Sequence, residues 1–198
     1  MINTLIFDFG KVLVDYDFDS YFAKYIPDEE RRRTFASLLN TREFTERLDM
    51  ELTPVEDIFG DMMRRHPEFE AETRIFMQHY PEVVTGEMPG MRDLLTRLKQ
   101  EGYRLYGLSN WCSYVHTTMQ QYPIFGLLDG AVISSEVHCI KPDARIYRLL
   151  LEKYGLKAKE CVFADDRQDN IDGGMRVGIR GITFVNAEQY ERALRQLL

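Results

Sequence analysis

The sequence has few cysteines and no long apolar run. Its three cysteines, Cys112, Cys139 and Cys161, lie far apart and show no CxxC spacing, which argues against a disulfide framework or a zinc site and favours reduced thiols. No apolar stretch reaches the roughly 18 to 20 residues that cross a bilayer, and the N-terminus lacks the features of a secretion signal. We therefore expect a cytoplasmic protein that does not interact with a membrane.

The sequence also lacks an excess of positive charge. It carries 25 Lys and Arg against 32 Asp and Glu, a formal net charge of −7, so nucleic acid is disfavoured as a partner. The four histidines show no spacing typical of metal ligands. An anionic small substrate remains compatible with this charge, because a phosphate site needs only a few local cations and backbone amides.

From residue 86 onward, strand and helix patterns alternate. In residues 89–102, apolar side chains fall on one helical face between Pro89, predicted at the first helical position, and Gly102, predicted just past the end. The predicted strands are residues 4–8, 103–110, 130–134, 161–166 and 181–186. This alternation predicts an α/β fold with a Rossmann-like parallel sheet flanked by helices on both faces.

Residues 16–84 differ from the rest, because they show helical spacings and no convincing strand. Thr53 to Glu56 reads as a capping box with Pro54 at the first helical position. We therefore predict a helical cap at 16–84 inserted into a catalytic core formed by 1–15 and 85–198. The alternative is a crossover that grew long for packing alone, since long insertions cost little loop entropy.

Polar residues collect where three predicted strands end, and a lysine precedes a predicted helix. These residues are Asp8, Ser109, Asn110, Asp165, Asp166 and Lys141. Each alone has a structural explanation as a cap or a surface residue. Together, at the carboxyl edge of a parallel sheet, the carboxylates suit Mg²⁺ and a nucleophilic attack on phosphorus. The lysine and the Ser-Asn pair suit phosphoryl oxygens.

Four segments resemble the motifs of the haloacid dehalogenase (HAD) superfamily, in the branch with a helical cap after the first strand. They are "FDFGKVLVDYD", "LSN", "KPDARIY" and "VFADDRQDNIDGG", in this order and over nearly the whole chain. The sequence is most similar to bacterial phosphatases of the α-glucose-1-phosphate type, which cleave small sugar phosphates. The resemblance implies a Mg²⁺-dependent hydrolase that acts on a small phosphorylated substrate.

The resemblance also implies roles for individual residues. Asp8 would be the nucleophile and a Mg²⁺ ligand, with the Gly10 carbonyl and Asp166 as further ligands. Lys141 would neutralise both the phosphoryl group and Asp8.

Four other residues would support these groups. Ser109 and Asn110 would bind the transferring phosphoryl group, and Asp165 would hold the cation's waters or orient Lys141. Asn170 would lie just behind the site or begin a helix.

Gly10 stands where many phosphatases of the superfamily carry a second aspartate, which acts as general acid. One alternative function is therefore a 2-haloacid dehalogenase-type hydrolase, since halide leaves without a proton, and another is a catalytically weak phospholigand-binding module. Without a replacement acid, phosphatase rates should depend steeply on the leaving-group pKa. A substitute from Asp15, Asp17 or the cap would make that dependence shallow. The sequence names neither the substrate nor the oligomeric state.

Overall fold

A central parallel sheet organises the fold. The computed structural model describes residues 1–197. The strands are β1 Thr4–Phe7, β2 Val14–Tyr16, β3 Val84–Glu87, β4 Arg104–Ser109, β5 Gly130–Ile133, β6 Cys161–Asp165 and β7 Arg180–Thr183. Five of them form a sheet in the order β5-β4-β1-β6-β7, and all of its neighbouring pairs run parallel. The predicted α/β fold and its five core strands are confirmed.

Helices connect the strands and cover the sheet. They are α1 Phe18–Tyr25, α2 Glu29–Leu39, α3 Arg42–Met50, α4 Val55–Arg65, α5 Glu70–His79, α6 Met91–Gln100, α7 Val115–Gln121, α8 Ser134–Val137, α9 Ala144–Lys153, α10 Gln168–Met175 and α11 Ala187–Leu197. Within residues 1–197, none is long and apolar enough to cross a membrane.

The sheet is buried on both faces, which explains its nearly continuous apolar strands. Successive side chains of a strand point to opposite faces. In β1, Leu5 and Phe7 therefore join the larger hydrophobic cluster, whereas Ile6 joins a second cluster with Phe163 of β6. Burial on both faces is what a parallel sheet with helical crossovers requires.

The segment between β2 and β3 is helical, as its periodicity predicts. Its helices enclose aromatic side chains, with ring centroids 5.4 Å apart for Phe22 and Phe35 and 5.8 Å apart for Phe59 and Phe76. These rings belong to the larger hydrophobic cluster, which also includes one face of the sheet. The segment therefore packs through its own aromatic core and against the rest of the chain.

The sequence reasoning missed a short antiparallel ribbon at the base of this segment. β2 pairs with β3 in a two-stranded sheet, with Val14 opposite Glu87 and Tyr16 opposite Val84. The predicted boundaries at residues 16 and 84 fall on the ends of this ribbon. The chain thus enters and leaves the helical segment through two hydrogen-bonded strands.

Two predicted helix starts are wrong. Pro54 occupies the N-cap position of α4 and no side chain caps that helix, so Thr53 does not form a capping box. α6 begins at Met91 after Gly90, whose φ of +76° places a left-handed turn before the helix. Pro89 therefore lies in the preceding turn, where its fixed φ is equally well accommodated. The predicted stop holds, since Gly102 follows the end of α6 with a φ of +93°.

Candidate active site

The carboxyl ends of the three central strands meet at one edge of the sheet. Asp8 directly follows β1, Ser109 ends β4 and Asp165 ends β6. The Asp8 amide donates a hydrogen bond of 2.9 Å to the Ala164 carbonyl, which continues the pairing of β1 with β6 past the end of β1. A cavity of about 760 Å³ opens at this edge, within the range typical of small-molecule sites. Its lining includes Asp8, Gly10, Ser109, Asn110, Lys141, Asp166 and Asn170.

Lys141 is the buried cation of the site. Its Nζ lies 2.9 Å from Asp8 Oδ1 and 2.6 Å from Asp165 Oδ2, and the lysine side chain is 1% exposed. Burial alone would lower the pKa of Lys141, but the two carboxylates outweigh burial and raise that pKa. Lys141 is therefore held charged between the ends of β1 and β6.

Burial raises the pKa of Asp8 by more than the charge of Lys141 lowers it. Burial raises the pKa of Asp8 to about 7, Lys141 opposes that shift, and the Asp165 carboxylate adds to it. Burial, and then Asp165, also raise the pKa of Asp166. Oxygens of Asp8, Asp165 and Asp166 lie within 4.8 Å of one another. The three carboxylates offer oxygen ligands, and the single lysine leaves part of their charge unbalanced, so the cluster suits a further hard cation such as Mg²⁺.

Asp165 is tied into the scaffold by all of its contacts. Its Oδ1 accepts hydrogen bonds from the Arg167 amide at 2.9 Å and from Asn170 Nδ2 at 3.0 Å. Its Oδ2 accepts from Lys141 Nζ at 2.6 Å and again from Asn170 Nδ2 at 3.1 Å. These hydrogen bonds hold Asp165 against Lys141 and Asn170. They are compatible with the orienting role predicted for Asp165 and with a supporting position for Asn170, and both roles stay predictions.

Asn110 contacts the backbone of Lys141. Its Nδ2 donates to the Lys141 carbonyl at 3.0 Å, and its Oδ1 accepts from the Lys141 amide at 2.7 Å. The two hydrogen bonds fix the loop that carries the lysine. A role for Asn110 in positioning Lys141 therefore stands beside its predicted contact with a phosphoryl group. Ser109, from the same strand end, also lines the cavity.

Comparisons with known proteins identify the family of the chain. A model of the haloacid dehalogenase-like hydrolases matches residues 2–178. The chain belongs to this family. Among solved structures, it resembles a HAD family enzyme from Bacteroides thetaiotaomicron in complex with magnesium and inorganic phosphate, with a TM-score of 0.76 and 19% identity over 98% of this chain and 100% of that one.

The relatives of this HAD hydrolase include phosphatases with named substrates. A D-ribitol-5-phosphate phosphatase of Bacteroides thetaiotaomicron is 22% identical over 100% of this chain and 99% of that protein. A flavin mononucleotide hydrolase of Arabidopsis thaliana is 24% identical over 56% of this chain and 45% of that protein, so the chain spans about half of its length.

Sequence reasoning missed how Tyr16 fills the space beside Gly10 in this HAD hydrolase. A Cβ built on Gly10 would lie 2.9 Å from Tyr16 Cε1. Burial, and then Asp166 and Asp8, raise the pKa of Tyr16 to about 12. The ring of Tyr16 therefore closes the region that a side chain at position 10 would enter.

The helical segment contributes a second residue that sequence reasoning missed. Asp49 of α3 lines the same cavity as Asp8, and burial raises the pKa of Asp49 to about 7. In the sequence, Asp49 stands out only as an acidic residue between two apolar ones, Leu48 and Met50, near the end of a helix. Locating it at the site required the docking of α3.

Proposed function

We propose that this protein is a Mg²⁺-dependent phosphatase that hydrolyses a small phosphorylated metabolite, with a sugar phosphate favoured, through an aspartyl-phosphate on Asp8. The observation that carries the proposal is the Asp8 carboxylate at the end of β1, 2.9 Å from the Nζ of a buried lysine and beside Asp166 in an acidic cluster. A cytoplasmic location, favoured by the three buried free cysteines, belongs to the same proposal.

The reaction proceeds in two steps on Asp8. Its carboxylate attacks phosphorus and the bond to the leaving oxygen breaks; water then hydrolyses the aspartyl-phosphate and returns the free carboxylate. Lys141 lowers the pKa of Asp8, which favours the carboxylate, and attracts the phosphoryl oxygens, and the Ser109 hydroxyl binds one of them. Asp8, Asp166 and the Gly10 carbonyl would hold Mg²⁺, which when bound neutralises charge on the phosphoryl oxygens.

Residues 16–84 act as the cap in this proposal. They supply one wall of the cavity through residues such as Phe22, Phe44 and Tyr80, opposite the strand ends. Excluding water from the phosphoryl group strengthens its contacts with Lys141 and protects the acyl phosphate from side reactions. Similarity over the full length to a sugar-alcohol phosphate phosphatase supports a polyol or sugar leaving group.

A screen of phosphorylated metabolites with Mg²⁺, run beside a 2-haloacid assay on the same preparation, tests the function. We expect phosphate release that chelator abolishes and added Mg²⁺ restores. The Asp8→Asn protein is the control, because an amide is a poor nucleophile. Halide release that persists in chelator would assign the dehalogenase function instead. Phosphate-analogue binding without turnover on any ester would assign a binding module.

A further inference from the structure

The two carboxyl groups that next follow Gly10 in the sequence, those of Asp15 and Asp17, form other contacts. Asp15 Oδ1 forms an ion pair of 2.5 Å with Lys11 and accepts a hydrogen bond of 2.9 Å from the Tyr16 amide. Asp17 caps α1 by accepting from the Ser20 amide at 3.0 Å, and its hydrogen bonds to Ser20 hold its pKa below the usual range. Neither group suits the donation of a proton to a leaving oxygen.

Asp49 faces the site with an uncommitted carboxyl group. It lines the cavity that Asp8 and Lys141 also line. Within residues 1–197 its backbone carbonyl accepts a hydrogen bond from Ser134, whereas its carboxyl group forms no hydrogen bond. Because α3 belongs to the helical segment 16–84, Asp49 reaches this cavity from the segment, whereas Asp8 and Lys141 reach it from the core.

Three hydrogen bonds dock this end of α3 on the core. The Ser134 hydroxyl donates to the Asp49 carbonyl at 2.6 Å, and His138 Nδ1 donates to the Met50 carbonyl at 2.9 Å. The Ser113 amide donates to Glu51 Oε2 at 2.7 Å. These hydrogen bonds involve the Asp49 and Met50 carbonyls and the Glu51 side chain. They therefore fix the end of the helix without using the Asp49 carboxyl group.

The surroundings of Asp49 bring its pKa close to neutral pH. Burial raises the pKa of Asp49 to about 7, the charges of Lys141 and Arg167 lower it, and Glu46 raises it. The other titratable groups that face it, Tyr80 and Cys112, have pKa values raised by burial and stay neutral. Asp49 thus loses its proton at the pH where a general acid–base works best.

We infer that Asp49 is the general acid–base of the phosphatase, a catalytic residue that takes the part of the carboxyl group missing at Gly10. The inference rests on the proposed function. In the first step an Asp8 oxygen bonds to phosphorus, the electron pair of the broken P–O bond stays on the leaving oxygen, and Asp49 gives that oxygen its proton. In the second step Asp49, now a carboxylate, accepts a proton from the attacking water, and the P–O bond to Asp8 breaks.

The test compares Asp49→Asn with wild type on phosphate esters of graded leaving-group pKa, from 4-nitrophenyl to alkyl phosphates. We expect a shallow dependence of kcat/KM on leaving-group pKa in the wild type and a steep one in the variant. In Asp49→Asn, kcat/KM should fall by about 10²–10⁴-fold on alkyl phosphates, which is the usual contribution of general acid catalysis. On 4-nitrophenyl phosphate it should stay within about threefold of wild type. Glu43→Gln, an exposed acid on the same helix, is the matched control and should match wild type.

The pH profile gives a second readout. Wild-type kcat/KM on an alkyl phosphate should fall above about pH 7 as Asp49 ionises, and this limb should be absent in Asp49→Asn. An equal loss on all esters, or no loss on any, would overturn the role of Asp49. Wild-type protein that hydrolyses none of the esters would instead refute the proposed function, so the two failures are distinguishable.

Discussion

Replacing Asp165 or Asp166 by asparagine should distinguish a carboxylate that stabilises the fold from one that we propose binds Mg²⁺. The two residues are adjacent, yet Asp165 is fully buried and accepts hydrogen bonds from Lys141, Asn170 and the Arg167 amide. Asp166 is exposed as a whole residue and lines the cavity, and the partial burial of its carboxyl group, followed by Asp165, raises its pKa. The same chemical change should therefore have opposite consequences for stability.

The expected loss for Asp165→Asn follows from its contacts. An amide keeps only one acceptor oxygen, so whichever way it turns, the donors that faced the other oxygen meet an NH₂ group. Removing one member of a buried ion pair destabilises by about 3–5 kcal/mol. Lys141 keeps Asp8 at 2.9 Å, so we take the lower end, about 3 kcal/mol. For a chain of this size, 2–4 °C per kcal/mol converts this loss to a fall of about 6–12 °C in Tm.

Thermal unfolding followed by circular dichroism, without divalent ions, measures both variants. Asp166→Asn should keep or raise Tm, because it removes a carboxylate that repels Asp165, but it should raise the Mg²⁺ concentration needed for half-maximal activity. A Tm for Asp165→Asn within about 2 °C of wild type would refute the structural role of its hydrogen bonds. If Asp166→Asn lowered Tm as much as Asp165→Asn, the proposed difference between the two carboxylates would be refuted.

Three further outcomes are expected. Asp8→Asn should lower phosphatase turnover by at least about 10³-fold with an unchanged circular dichroism spectrum; near-wild-type turnover would mean another nucleophile. Gly10→Ala should destabilise by about 1–3 kcal/mol in urea unfolding, because its Cβ would lie 2.9 Å from Tyr16 Cε1, and adding Tyr16→Leu should recover that loss. Exchanging residues 16–84 with those of a relative should shift substrate preference while sparing 4-nitrophenyl phosphate hydrolysis; unchanged preference in a folded chimera would reduce the segment to packing.

The fold and the strand-end residues were predictable from local patterns. Apolar runs that alternate with amphipathic helices require a parallel sheet, and its carboxyl edge gathers whatever polar residues follow the strands. That rule places Asp8, Ser109 and Asp166 together without knowledge of any side-chain contact. The order of the strands then brings β1, β4 and β6 side by side, and the site follows.

Features that depend on tertiary contacts could not be predicted from the sequence. β2 and β3 have 3 and 4 residues, too few for an alternating pattern to stand out. The amide of Asn110 was expected near the site, but its pairing with the Lys141 backbone depends on how two loops meet. Asp49 reaches the cavity because Ser134 and His138 hold the end of α3, and no periodicity within α3 encodes those contacts.

The ribbon of β2 and β3 also has a consequence for how the core assembles. The long helical segment between these strands, called the excursion below, begins and ends at two paired residues, Tyr16 and Val84. Once β2 and β3 have paired, residues Leu13 and Met88 are held together, and the Met88 amide donates a hydrogen bond of 2.9 Å to the Leu13 carbonyl. For the core, the whole segment then acts as one short connection. The entropic cost of closing the loop between β2 and β3 then arises when the ribbon forms, and not when the core strands pair. Lengthening the excursion should therefore slow formation of the ribbon while leaving the pairing of β1 with β4 and β6 largely unaffected.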